Sequence, residues 1–158
     1  MSGGPAEHAR FHGYIRALFQ VADANECDLV RTVLDDPDHA VAQSAVIRHI
    51  DRTAEQLGSD GDRYAQWHER IAPVIQGHEL IRRRLEEWSL FNAIIGENAW
   101  STADLADASN WLQRKVAERA HSPQALATLT EHGRTKRVRA TARSRLNQHS
   151  SGKWERPV

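Results

Sequence analysis

One short segment near the carboxyl end of the chain, residues 134–145, concentrates positive charge and contains no acid. Its cations are Arg134, Lys136, Arg137, Arg139, Arg143 and Arg145. Guanidinium and ammonium groups bind phosphate and carboxylate oxygens, and the first turn of a helix directs backbone N–H groups to the same place. These six residues are therefore the predicted binding site, either for phosphate or for an acidic partner. The alternatives are a solvated helix face, or a ladder of arginines to acids elsewhere in the chain.

A second basic run, Arg82-Arg83-Arg84, has a different interpretation. Arg82 and Arg83 each have a glutamate four residues later, Glu86 and Glu87. Side chains at this spacing are neighbours on a helix. The run therefore predicts local ion pairs rather than a binding surface.

Histidine is frequent, with nine in the chain, and it raises the question of a metal site. His8 and His12 stand four residues apart and could face one ion, but they lack the adjacent glutamate of a His-Glu-x-x-His motif and lie near the terminus. We therefore predict no metal site. His39 and His49 are candidates instead for tuning stability with pH.

Catalytic signatures are missing from the sequence. There is no Gly-rich phosphate loop, no Gly-x-Ser-x-Gly motif and no cysteine cluster. The single cysteine, Cys27, follows Glu26 and precedes Asp28, and neighbouring carboxylates make a thiol less nucleophilic. We predict no catalytic residue and no cofactor, and enzymatic activity stays open with the balance against it.

The elements that position these residues are helices. Apolar residues recur at steps of three and four nearly everywhere, which predicts an all-α chain of about seven or eight helices without strands. One of those helices carries Leu105, Ala108, Trp111 and Val116 on a single face. Length predicts a single helical domain over residues 1–146, followed by a polar tail over residues 147–158 that is disordered or pinned by Trp154.

Two stretches echo each other, residues 28–50 and residues 124–146. Each reads as a short helix, a tight polar turn and a second helix, with Val41 and Ala45 matching Val138 and Ala142. The small alanine allows two helices to approach closely, and a pair of this kind needs neighbours to bury its other faces. The pattern resembles the HEAT family of helical repeats. The first copy has the turn aspartate typical of that family, Asp36, and the second has the Val-Arg pair.

The resemblance implies a short right-handed superhelix of antiparallel helix pairs, for which an irregular helical bundle is the alternative. HEAT-like proteins usually bind other macromolecules along a concave surface. Some related helical-repeat folds hold nucleic acid, and one group removes alkylated bases from DNA. That last analogy would need an acid beside aromatic rings, for which Asp104, Asp107, Trp100 and Trp111 are the candidates. Core packing is the alternative for these tryptophans.

Charge is balanced in total but divided along the chain. Residues 1–79 hold 7 Lys/Arg and 13 Asp/Glu, a net charge of −6, whereas residues 80–158 hold 14 and 8, a net charge of +6. Such polarity suggests an anionic partner or head-to-tail contact between copies of the chain. The one cysteine fits a reducing compartment, and no apolar run is long enough to span a membrane.

We therefore predict a cytoplasmic, non-catalytic scaffold or adaptor that binds another macromolecule. A protein partner is favoured, binding of nucleic acid through residues 134–145 is the alternative, and an enzyme acting on nucleic acid is a further alternative. No membrane association is expected. A homo-oligomer could form through the acidic and basic halves.

Overall fold

The computed structural model describes residues 4–58 and 60–150. In these residues it is all-helical and contains no strand, as the apolar spacing predicts. The described residues form nine helices: α1 (Pro5–Gln20), α2 (Asp23–Leu34), α3 (His39–Leu57), α4 (Gly61–Ile75), α5 (Glu79–Ile95), α6 (Thr102–Asp107), α7 (Asn110–Arg119), α8 (Pro123–His132) and α9 (Lys136–Ser150). Among them, none combines the length and the apolar character needed to cross a membrane.

The chain divides into two compact units, Met1–Glu86 and Glu87–Val158, which we call unit 1 and unit 2. Helix α5 contributes its first half to unit 1 and its second half to unit 2. The prediction of a single helical domain over residues 1–146 stays a prediction. Helix α9 extends to Ser150, so residues 147–150 of the predicted tail are helical, and the remainder of the tail, with Trp154, lies outside the described residues.

In unit 1, α1 packs on α2 and α3, and α4 packs on α2 and α3. The core is made of the predicted apolar stripes, whose fully buried members include Val30, Val46, Ile50, Trp67 and Ile71. Aspartates set the starts of two helices, because the side chain of Asp38 accepts the N–H of Val41 and that of Asp60 accepts the N–H of Arg63. Pro73 lies inside α4, which continues to Ile75.

The turn between α2 and α3 is organised by Asp36, the aspartate at the turn of the first repeat copy. Its side chain accepts the N–H of Asp38 at 2.8 Å and the hydroxyl of Tyr14, with the Arg10 guanidinium at 3.6 Å. The bond with Asp36 raises the pKa of Tyr14 and lowers the pKa of the Asp36 carboxyl. This aspartate therefore ties the turn to α1.

In unit 2, α8 packs on α6, α7 and α9, and α7 also packs on α9. The single helix predicted across residues 105–116 is wrong, because it is divided into α6 and α7. Ala108 is extended, and the Ser109 side chain caps α7 by accepting the N–H of Leu112 at 3.3 Å. This break gives one helix more than the upper end of the expected number.

The second repeat copy turns differently from the first. Gly133 separates α8 from α9, and a Cβ built on it would lie 2.6 Å from the backbone oxygen of Leu129 and 2.9 Å from the Val138 side chain. Only glycine allows this approach. Both repeat copies are therefore packed helix–turn–helix pairs, α2 with α3 and α8 with α9.

Candidate functional site

The predicted basic site lies in unit 2, and Arg134 opens it. Its Nε donates to the Ala108 carbonyl at 2.6 Å and its NH2 donates to the Asp107 carbonyl at 2.9 Å. Its backbone N–H donates to the Gln113 side-chain oxygen at 2.9 Å. These carbonyls end α6 and have no partner within that helix. Arg134 therefore covers the carboxyl end of α6.

Two more arginines of the segment do the same for other helices. Arg139 donates to the carbonyl of Gly133, the residue that ends α8, at 2.7 Å. Arg145 donates to the Ala117 carbonyl in the last turn of α7 at 2.8 Å, and burial lowers the pKa of its guanidinium. Cations near helix carboxyl ends are stabilising because they meet the negative end of the helix dipole.

The remaining three cations of the segment, Lys136, Arg137 and Arg143, are exposed. None of them forms an ion pair within residues 4–58 and 60–150. The backbone N–H groups at the start of α9 are partly engaged already, because Thr135 accepts that of Val138 at 3.1 Å. The six predicted residues are thus divided between helix ends and solvent.

The second basic run and the glutamates that follow it form hydrogen bonds and ion pairs within the fold. Arg82 pairs with Glu86 as expected from the spacing, and also with Glu79. Glu87 is buried and accepts both the N–H and the hydroxyl of Ser109, at 2.7 and 2.6 Å. Within the described residues, no group of three or more His, Cys, Asp or Glu could hold a metal ion.

The tryptophans of unit 2 surround a cation. Trp88 is buried, Trp111 is half-buried, and their rings meet edge to face with centroids 5.5 Å apart. The ammonium of Lys115 lies 4.7 Å from the Trp88 centroid and 5.0 Å from that of Phe91. Asp104 is exposed on α6. These aromatic rings therefore contact the ammonium of a half-buried lysine.

Unit 1 contains a site that the sequence did not reveal. A cavity of about 300 Å³ opens where α1, α2, α3 and α4 meet. Three arginines line it: Arg52 from α3, and Arg63 and Arg70 from α4. Its size is at the lower end of the range for small-molecule sites.

At the base of this pocket lies Glu26, whose side chain is only 5% exposed. One of its oxygens, Oε2, accepts the ring N–H of His49 at 2.6 Å and the indole N–H of Trp67 at 2.9 Å. Burial alone would raise the pKa of Glu26, but these two hydrogen bonds and the charge of Arg70 hold that pKa below its ordinary value. Glu26 is therefore a buried, ionised carboxylate.

The other oxygen of Glu26 is left without a donor. Oε1 is buried and accepts no hydrogen bond within the part of the chain that the structure describes. The Arg70 guanidinium is 4.0 Å away, beyond hydrogen-bond distance, and the Arg70 side chain is 45% exposed. Buried polar atoms almost always have partners, so this oxygen is an exception that calls for an explanation.

Arg52 determines the state of His49. Its NH2 lies 3.2 Å from His49 Nδ1, and a guanidinium can only donate, so Nδ1 accepts. The ring hydrogen is therefore on Nε2 and faces Glu26. The guanidinium of Arg52 also lies 4.7 Å from the centroid of the Phe19 ring, a residue that is 64% exposed. Both nitrogens of His49 are thus engaged, one by Glu26 and the other by Arg52.

Two of the three pocket arginines have no carboxylate partner within the described residues. Arg52 forms no ion pair with a carboxylate in the described residues, and burial together with the nearby charge of Arg48 lowers its pKa. Arg63 likewise has no carboxylate partner there. The pocket is therefore lined by three arginines and two carboxylates, of which Asp23 is exposed and Glu26 is buried.

A signal for this site exists in the sequence. Glu26 stands four residues before Val30 on the buried stripe of α2, and His49 stands three residues after Val46 on that of α3. A charged and a titratable residue at core-facing positions of successive helices predict a buried polar pair, since such groups are seldom buried unpaired. Arg52 gives no such signal, because its position faces the rim.

Comparison of the chain with models of known protein families, with curated proteins and with solved structures finds no significant match.

Proposed function

We propose that this chain is a non-catalytic binding protein whose unit 1 pocket takes the carboxylate or phosphate group of a small molecule. The observation that carries the proposal is Arg52. Its guanidinium is held in the pocket by His49 and Phe19 and has no carboxylate partner among the described residues. Guanidinium groups form their strongest hydrogen bonds with carboxylates and phosphates.

Electrostatics supports an anionic ligand. The lowered pKa of Arg52 means that burial and Arg48 disfavour its charged form in the free protein. An anion bound in the pocket would reverse this effect, because an opposite charge within a few ångströms favours the charged form. Arg63 and Arg70 line the same pocket and add to the attraction.

The hydrogen bonds favour binding over catalysis. A general base works best with a pKa near the operating pH, whereas the pKa of Glu26 is lowered. His49 has both ring nitrogens engaged by Glu26 and Arg52. These groups therefore serve as fixed acceptors and donors, and not as carriers of a proton.

The test is calorimetric titration of the full chain with sodium phosphate, acetate and succinate at low ionic strength. We expect saturable binding of one anion per chain, and the phosphate and carboxylate arms identify the preferred group. Arg52→Met should weaken that binding by about tenfold or more, because a charge-assisted hydrogen bond is lost.

The matched control is Arg137→Met, which removes an exposed arginine of unit 2 and should leave anion affinity unchanged. Circular dichroism establishes that both variants remain helical. Equal anion binding by wild type and Arg52→Met, or no saturable binding by the wild type, would refute the proposal.

The adaptor function predicted from the sequence is a second proposal, with the HEAT-like pair α8–α9 as its surface. The exposed side chains of Lys136, Arg137 and Arg143 support it, since they form no ion pair within the described residues. An acidic protein partner is favoured over nucleic acid, because half of the basic segment bonds helix carbonyls. Titration with duplex DNA at two salt concentrations separates these, since phosphate binding weakens steeply with salt. Recovery of nucleic acid alone in pull-downs would refute the protein partner.

A further inference from the structure

We infer that the ligand of the unit 1 pocket is a zwitterion of the α-amino acid class, with its carboxylate on Arg52 and its ammonium on Glu26. This inference rests on the proposed function of the pocket. Its independent observation is Oε1 of Glu26, a buried carboxylate oxygen that accepts no hydrogen bond within the described residues.

The two oxygens of Glu26 differ sharply in their surroundings. Oε2 accepts two hydrogen bonds, from His49 and Trp67, whereas Oε1 accepts none. An ionised carboxylate offers about four acceptor positions, and leaving them empty in a buried site is unfavourable. A ligand that brings an N–H donor to Oε1 removes this penalty.

The charges of the pocket point to the same class of ligand. A purely anionic molecule would meet the cations at the rim but would be repelled by Glu26 at the base. A purely cationic one would meet Glu26 but would be repelled by Arg52 and Arg63. A molecule with an ammonium next to its carboxylate satisfies both, and the volume of about 300 Å³ limits it to a small one.

Access to Oε1 passes Arg70. Its guanidinium is the cation that forms the long contact with this oxygen, at 4.0 Å, and its side chain is 45% exposed. Side chains with this exposure change rotamer readily. A bound ammonium takes the place of the Arg70 guanidinium beside Oε1, and Arg70 turns towards the ligand carboxylate.

The experiment compares ligands that share a skeleton and differ in one group. L-alanine, lactate and propionate are titrated into the full chain and followed by protein NMR chemical shifts. We expect L-alanine to bind about tenfold or more tightly than propionate, with lactate between them, since a hydrogen bond from a charged donor is the strongest of the three contacts.

Glu26→Gln is the matched variant. The oxygen of the glutamine stays with His49 and Trp67, so its amide N–H₂ faces the ligand and repels the ammonium. We expect the preference for L-alanine to disappear and the affinity for propionate to be kept or increased. Because the ligand comparison is made on the wild type, it remains decisive even when this variant folds poorly.

The outcomes separate the two proposals. Equal binding of L-alanine and propionate to the wild type refutes the zwitterion and leaves the anion pocket intact. Binding of neither, together with no binding of phosphate or succinate, refutes both. An unchanged preference in folded Glu26→Gln refutes the role of Glu26.

Discussion

Two buried polar side chains, Glu26 in unit 1 and Gln113 in unit 2, differ in how many of their hydrogen-bonding atoms have partners. In unit 2, Gln113 is fully buried, donates to the carbonyls of Leu105 and Ala106, and accepts the N–H of Arg134. In unit 1, Glu26 has one oxygen with two donors and the other with none. A complete network serves the fold, whereas an incomplete one beside a cavity is suited to a ligand.

The arginines of the two units repeat this contrast. Those of residues 134–145 are dense in the sequence, yet Arg134, Arg139 and Arg145 are engaged by helix carbonyls. Arg52 stands apart from any basic run, yet it faces a cavity without a carboxylate partner in the described residues. The number of cations in a sequence segment therefore predicts binding less well than whether backbone carbonyls already accept their hydrogen bonds.

The largest effect should follow from breaking the complete network. Gln113→Leu keeps the volume but removes the Gln113 bonds to the Ala106 carbonyl and the Arg134 N–H, whereas the Leu105 carbonyl keeps the N–H of Ala108. We expect it to lower the free energy of unfolding by about 3 kcal/mol, as each buried polar group that loses its partner costs about 1–3 kcal/mol. Urea denaturation measures this. The neighbouring Arg114→Leu, which removes only an exposed ion pair, is the control and should be nearly neutral.

A smaller loss should follow from removing one helix-end arginine. Arg134→Met leaves the carboxyl end of α6 uncovered and should reduce stability by about 1–2 kcal/mol, because these are charge-assisted hydrogen bonds at a solvated helix end. Arg137→Met lies in the same segment without such contacts and should change stability by less than about 0.5 kcal/mol. Equal effects of the two substitutions would contradict the division of the basic segment.

The contribution of Glu26 to the free energy of unfolding should depend on pH, whereas that of Gln113 should not, because Gln113 does not titrate. The pKa of Glu26 is lower in the folded protein than its ordinary value of 4.5. Its ionised form therefore stabilises the fold above that value, and the contribution is lost as pH falls towards the folded-state pKa. The stability difference between wild type and Glu26→Gln should shrink between about pH 5 and about pH 3. Asp36 titrates in both proteins, so its effect cancels.

The smallest change in stability should come from Phe19, which is exposed and meets the guanidinium of Arg52. Phe19→Ala should lower the free energy of unfolding by about 0.5–1 kcal/mol or less, the usual worth of an exposed cation–π contact. Its effect on ligand affinity should be severalfold, since Arg52 is then less well oriented. Loss of stability without loss of affinity would show that Phe19 does not orient Arg52 for the ligand.

Much of the fold could be predicted from the sequence because apolar spacing records which face of a helix is buried. The apolar spacing could not predict the break at Ala108, because α6 ends there and Ser109 caps α7 without disturbing the apolar period. It also could not separate Arg134 from Arg137. Both are arginines in one segment, and only the three-dimensional position of the Ala108 carbonyl tells them apart.

The pocket could not be predicted either, because it too depends on three-dimensional positions. Its members come from four helices and share no motif, and the sequence position of Arg52 conveys nothing about the cavity beside it. Glu26 and His49 at core-facing positions were the only readable sign. The sequence does not show that Trp67, 41 residues after Glu26, donates to the same oxygen of Glu26 as His49 does.

The turns of the two helix pairs, α2–α3 and α8–α9, differ in which residue each can accept. Asp36 anchors the first turn, whereas at Gly133 even a single methyl group would meet the Leu129 carbonyl at 2.6 Å. An aspartate at position 133 would clash with the Leu129 carbonyl. A glycine at position 36 would lose the hydrogen bond from the Tyr14 hydroxyl. Exchanging the two turn residues would therefore destabilise both helix pairs, so the two turns are not interchangeable.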